Sequence, residues 1–201
     1  MGLIGEAVQE LETAIEGSGC EDGAVVLRRS PDEILCQYEQ GVCLEALYGG
    51  RSGEFVTSNP VEAVTKVSFL FDATLTNNTA KSAACAVLNV LSAFLCISRK
   101  VRACPSSAHP ACLAELGEYL SDKRVFLAGV CPILARELGA GITQDPALAD
   151  VLIINNEGVL SEEVAGIVAL YRDRKKIICI GPSTAGVAGL TRIERFCPYG
   201  T

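Results

Sequence analysis

A chain of 201 residues with 49% hydrophobic and 20% charged side chains can bury roughly 70% of its unfolded surface, so it needs neither metal nor disulfide to fold into one or two domains. Its 17 basic residues are scattered or paired among 24 acidic ones, for a net charge of −7, which argues against nucleic acid as a partner. The longest apolar run, Ala83 to Ile97, falls short of a bilayer span, and Glu6 stands where an export signal would be basic and a myristoylation motif would carry Ser or Thr. The expectation is a cytoplasmic protein with no membrane partner.

The first half opens with an amphipathic helix whose stripe is Leu3, Ala7, Leu11, Ala14 and Ile15, stopped by Gly17 and Gly19. Three strand candidates follow, Ala24 to Arg28, Glu33 to Tyr38 and Val42 to Tyr48, separated by tight links, which predicts an antiparallel meander. The Gly49 to Gly53 stretch reads as the turn that ends it. After Asn59-Pro60 a short helix is expected, then a long one from about Asn78 to Cys96, apolar nearly all round and therefore buried between layers. Val101 to Asp122, with a helix starting near Pro110, reads as a connection.

From Lys123 the period changes. Val125 to Gly129, Val151 to Ile154 and Ile177 to Gly181 are apolar runs of strand length, separated by helical stretches at Pro132 to Leu138 and Ser161 to Arg172. Apolar strands alternating with helices predict a parallel sheet covered on both faces. The fold class expected is α/β: an antiparallel α+β meander with helices over residues 1–100, joined to a small Rossmann-like parallel-sheet domain over residues 101–201.

Parallel sheets bind ligands beyond the carboxyl ends of their strands. Three turns therefore become candidates: Gly129-Val130-Cys131-Pro132, Asn155-Asn156-Glu157-Gly158 and Gly181-Pro182-Ser183-Thr184. None matches a dinucleotide fingerprint, a phosphate loop or a nucleophile elbow. Cys131, between a strand and a helix, is placed for amide dipoles to lower its thiol pKa, or else simply fills a tight turn. Glu157 reads as a ligand or general base, or as an acidic residue at a helix start. Ser183 and Thr184 suit a carboxylate or phosphate, or cap a helix.

The segments FVTSNP, NNTAKSAACAVLNVLSAFL, VRACPSSAHPACLAEL, VFLAGVCP, IGPSTAG and ERFCPYGT together resemble an archaeal and bacterial heavy-metal chelation family, long without an established function. Its members pair an enolase-N-terminal-like domain with a Rossmann-like domain. The resemblance spans nearly the whole chain and implies a polar pocket where the two domains meet. Carried over by position, it points to Asn77, Asn78, Lys81 and Asn89 on the long helix, to Cys104 and Cys112, to the Gly129, Asn155 and Gly181 turns, and to Cys197. One departure is visible: where the family carries His before the first cysteine and acidic residues after it, this chain has Ala103 before Cys104 and Ser106 and Ser107 after it, with its single histidine displaced to His109.

Ten cysteines are many, yet they do not space as a disulfide ladder, and Cys85, Cys96 and Cys179 lie in apolar segments, where a thiol behaves as a small hydrophobe in a reducing compartment. Cys104, His109, Cys112 and Cys197 would make a four-ligand set for a soft or borderline divalent metal if the chain end folds back, although seven residues between Cys104 and Cys112 are too many for a zinc knuckle. A structural role for the same cysteines is the alternative. Lys81, beside Asn77 and Asn78, is a candidate to neutralise an anion, or is a solvated helix lysine. The functional expectation is a protein that binds a soft metal ion or a small anionic ligand between its two domains. An enzyme acting on a small anionic metabolite in the same cleft is the alternative, and apolar surface on the meander leaves room for a homo-oligomer.

Overall fold

The computed structural model describes residues 2–201 and contains two four-stranded sheets. The first is antiparallel, in the order β3-β2-β1-β4, with β1 at Ala24–Ser30, β2 at Val42–Tyr48, β3 at Arg51–Thr57 and β4 at Ala63–Lys66. The second is parallel, in the order β5-β6-β7-β8, with β5 at Val125–Ala128, β6 at Val151–Ile154, β7 at Lys176–Ile180 and β8 at Glu194–Phe196. The α/β architecture expected from the change of period is therefore present.

Helix α1 (Leu3–Ile15) buries Leu3, Ile4, Ala7, Val8, Leu11 and Ile15, and ends where Gly17 and Gly19 take positive φ of 70° and 81°. Ala14, expected on that stripe, is exposed. The short α2 (Phe69–Asp72) precedes α3 (Asn78–Phe94), whose first turn is capped by Asn77 accepting from the Ala80 N–H at 2.9 Å. Every residue of α3 from Lys81 to Ser92 is buried, because one side packs on the antiparallel sheet and the other on α8 (Ala185–Thr191) and α1.

This packing places α3 between the two halves. A single apolar core runs from Val25, Leu44 and Phe55 through α3 to Leu152, Ile154 and Cys179 on one face of the parallel sheet. The opposite face, Val125, Val151, Ile153, Ile178 and Ile180, is covered by α4 (His109–Leu120) and α5 (Pro132–Leu138). The remaining helices, α6 (Asn156–Leu160) and α7 (Glu162–Tyr171), connect β6 to β7. Two-sided burial explains why these strands read as continuous apolar runs.

The structure departs from the sequence expectation at four places. Glu33 to Tyr38 is a loop rather than a strand: Cys36 and Tyr38 turn into the core of the parallel half. The turn after β2 is Gly49-Gly50 alone, with φ of 53° and 75°, and Arg51 pairs with Tyr48. Two positive-φ residues make the tight connection whose twist matches a hairpin. Gly53 lies inside β3, where a Cβ would come within 2.6 Å of the Val90 nitrogen, so it marks close approach of α3. Strand β4 precedes the short helix expected after Pro60, and the three-residue β8 is an extra strand.

The same closeness governs α3 and α8, since a Cβ on Gly186 would meet the Leu88 carbonyl carbon at 2.5 Å. Gly186→Ala forces two backbones apart and is expected to destabilise the fold by about 1–3 kcal/mol, measured as a lower urea midpoint with unchanged slope.

Candidate functional site

All three predicted turns open on one edge of the parallel sheet, and that edge is filled by the chain's own Cys36 to Gln40 loop. After β5, Gly129 takes φ 110°, which leaves room for the Asn155 carboxamide: a Cβ there would lie 1.9 Å from Asn155 Oδ1. Asn155, after β6, accepts from the Gly158 N–H at 3.1 Å and donates to the carbonyls of Val130 at 2.9 Å and Tyr38 at 3.3 Å. After β7, Gly181 takes φ 83°, and a Cβ there would sit 2.4 Å from Glu39 Oε1. The Ser183 N–H donates to that same Glu39 oxygen at 3.0 Å. Glu39 thus lies where an anionic ligand would be expected.

Glu39 is buried, and its Oε2 has no hydrogen-bond partner. Burial pushes its carboxyl up to about 8, against the bonds from Ser183. No sequence signal marks it, since an acidic residue beside Gln40-Gly41 reads as a solvated turn.

Several predicted ligand residues instead hold the two halves together. The outer edge of β3 presents the N–H and C=O groups of Glu54 and Val56, and each finds a partner. The Glu54 N–H donates to Val101 O at 3.0 Å, and Glu54 O accepts from Asn89 Nδ2 at 2.6 Å. The Val56 N–H donates to Ser183 Oγ at 2.8 Å, and Val56 O accepts from Asn156 Nδ2 at 2.8 Å. Asn89 also donates to Ser183 O at 2.9 Å and accepts from the Gly186 N–H at 2.6 Å. Thr184 is buried and donates to Gly181 O at 3.0 Å, and Pro182 is buried beside it.

Lys81 is committed within the fold. Its ammonium bonds Glu162 Oε1 at 2.6 Å and Leu160 O at 3.0 Å, and it holds the Glu162 carboxyl below the usual range.

The chain end does fold back: Thr201 and Arg102 exchange two backbone hydrogen bonds, at 2.8 and 3.1 Å. Even so, among the described residues no group of three or more His, Cys, Asp or Glu side chains is placed to hold one metal ion. Cys104, His109, Cys112 and Cys197 therefore do not assemble as a ligand set. All ten cysteines are free thiols. Cys112 Sγ lies 3.4 Å from the Tyr38 hydroxyl. Burial raises the pKa of Cys104, Cys112 and Cys197. It also raises that of Cys131, against the Leu134 N–H bonded to it, which favours the reading of a small thiol filling a tight turn over that of an activated one.

An open cleft of about 260 Å³ remains between the halves, beside the filled edge. It is lined by Thr57, Asn59, Asn78, Asn156, Glu157 and Ser161, among others. Asn78, Asn156 and Glu157 are thus the predicted residues brought together around free space. Glu157 Oε2 accepts from the Val130 N–H at 3.2 Å. Asn156 Oδ1 is buried without a partner, while Nδ2 faces the carbonyls of Val56 and Gln40. Two facing carbonyls set the amide orientation, because a flipped carboxamide would put oxygen against oxygen.

These features define an α/β protein in which an antiparallel sheet with helices is docked by its edge onto a parallel sheet. No family model and no curated protein matches the chain. Among solved structures it is similar to a protein of unknown function of the DUF364 family from Pyrococcus horikoshii, with a TM-score of 0.54 and 13% identity over 91% of this chain and 80% of that one. It is also similar to a DUF364 protein of unknown function from Desulfitobacterium hafniense DCB-2, with a TM-score of 0.52 and 15% identity over 92% of this chain and 82% of that one. At this identity the likeness is one of fold. Among the described residues no helix is long and apolar enough to cross a membrane.

Two outcomes are expected. Asn89→Ala leaves the Glu54 and Ser183 carbonyls and the Gly186 N–H without their side-chain partner and should cost about 3 kcal/mol or more in urea unfolding. For Glu39, the folded pKa of about 8 lies above the ordinary value, so the unfolded chain releases this proton first. Its contribution to stability is complete below about pH 4.5, declines as pH rises toward 8, and levels off above that. In Glu39→Gln, thermal melts across that range should lose this part of the pH slope.

Proposed function

We propose that this protein binds a small, donor-bearing polar ligand in the cleft between the two sheets, against Asn78, Asn156 and Glu157. The observation that carries this reading is the cleft itself, which three predicted site residues, Asn78, Asn156 and Glu157, line together, with Asn156 Oδ1 unpartnered and buried behind its surface. A buried acceptor without a donor is costly, and a ligand hydroxyl or ammonium would relieve it once the lining over Asn156 opens, since that atom is itself out of contact with solvent. The lining carries the Glu157 carboxylate and neither lysine nor arginine, so it suits a neutral or cationic ligand better than an anion. An enzyme in this cleft would rest on Glu157 alone as the ionisable group.

A soft-metal reading keeps one supporting observation: Cys36 and Cys112 share one buried cluster, against which Phe196 and Tyr199, flanking Cys197, also pack. It requires the Cys36 to Gln40 loop to shift, since the thiols are not gathered as ligands. The Rossmann-like and heavy-metal resemblance belongs with this reading.

Thermal-shift titration with diols, sugars, amines and amino acids tests the first reading. Compounds presenting paired donors should raise the Tm, and Glu157→Gln combined with Asn78→Leu should weaken binding about tenfold or more. A panel without a single shift, or a shift that survives the double variant, rejects the cleft. Titration of the reduced protein with Cd²⁺ tests the second: thiolate-to-metal absorption lost in the Cys36, Cys112 and Cys197 serine variant supports it, and no absorption rejects it.

A further inference from the structure

The two edges of the antiparallel sheet are treated differently. On the β3 side, every outward backbone group of Glu54 and Val56 is bonded by the rest of the chain. On the β4 side, β4 pairs with β1 alone among the described residues. A bare edge is a template for another strand unless its side chains repel one.

The side chains of β4 do the opposite. On its outer face Val64 and Lys66, with Glu62 just before the strand, alternate and are exposed. Val64 is 72% exposed, more than any other large apolar residue, and its cross-strand neighbour Val26 is 37% exposed. On the inner face an apolar groove of about 460 Å³, lined by Leu27, Val61, Ala63, Phe69 and Ala83 among others, runs beside the same edge. Apolar surface therefore flanks the open edge on both faces.

Charge then selects the occupant. If a second β4 is laid antiparallel against the first with Val64 opposite Val64, Glu62 of each strand falls directly opposite Lys66 of the other. Side chains of directly opposed residues share a face, so the valines meet at the centre with an opposite-charge pair on either side. A lone Lys at an edge discourages pairing, but a Glu and a Lys placed symmetrically about a valine make the edge complementary to itself under a twofold axis. The existing partner of Lys66 is Asp22 at 2.9 Å, an exposed pair that contributes little.

We propose that the β4 edge is a homodimer interface, in which two copies pair antiparallel about Val64 to form one continuous eight-stranded sheet. This inference is independent of the ligand cleft, which lies at the other end of the sheet, beyond β3.

Sedimentation over a dilution series, with the full chain, tests it. The wild type should be a dimer, and Lys66→Glu or Glu62→Lys alone should weaken dimerisation about tenfold or more by opposing like charges. The double swap should restore it, because the pairs are rebuilt with reversed sign. Asp22→Asn should leave it unchanged, which separates loss of the intramolecular pair from loss of the interface. All three positions are exposed, so the monomer Tm should hold. A wild type that stays monomeric throughout, single variants that dimerise as well as wild type, or a double swap that fails to recover would each overturn the proposal.

Discussion

An edge strand leaves a row of backbone donors and acceptors that must find partners if it is buried, and the closing of the β3 edge is the constraint on which this molecule depends. Glu54 and Val56 offer four such groups, met by Val101 O, Asn89, Ser183 and Asn156. Three of these partners come from α3, from the turn after β7 and from the start of α6. The antiparallel sheet is thereby registered against the carboxyl edge of the parallel one, and α3 is trapped between them. Gly53 and Gly186 permit this because a side chain at either would collide with the α3 backbone.

Docking the halves in this way consumes the edge where a parallel sheet ordinarily receives ligands. The Cys36 to Gln40 loop lies over the ends of the strands, with Tyr38 held by Asn155 and the Glu39 carboxyl bonded by the Ser183 amide. Groups suited to a ligand carboxylate therefore hold the chain's own carboxyl group. Free space remains to one side, in the cleft around Asn78, Asn156 and Glu157. The family resemblance and the fold similarity to DUF364 proteins agree on this two-sheet plan, while among the described residues the thiols that suggest metal are not gathered as a ligand set.

The elements with a strong period were legible from the chain itself. Helix α1, the buried α3 and strands β5, β6 and β7 announce themselves because each buries an apolar stripe or two apolar faces. Strands β3, β4 and β8 did not, since Ser52-Gly53-Glu54 and Glu194-Arg195 carry polar or small residues whose reason lies in other elements. Glu33 to Tyr38 alternates like a strand, but its buried residues face a neighbouring half rather than a sheet. Among site residues, Asn156 and Glu157 were legible as strand-end polar groups and Asn78 through the family resemblance, whereas Glu39 was not legible.

By itself the sequence determined the α/β class, the change from antiparallel to parallel strands and the list of polar residues around the strand ends, because these follow from local periodicity and turn chemistry. Only the tertiary structure decided what those polar residues do. A carboxamide such as Asn89 or Asn156 can bind a ligand or close a sheet edge with equal chemical fitness, and which it does depends on the group brought opposite it by packing across the chain. For Asn89 and Ser183 that group is a strand of the same molecule; Asn156 Nδ2 likewise meets the Val56 carbonyl, while its Oδ1 stays buried without a partner.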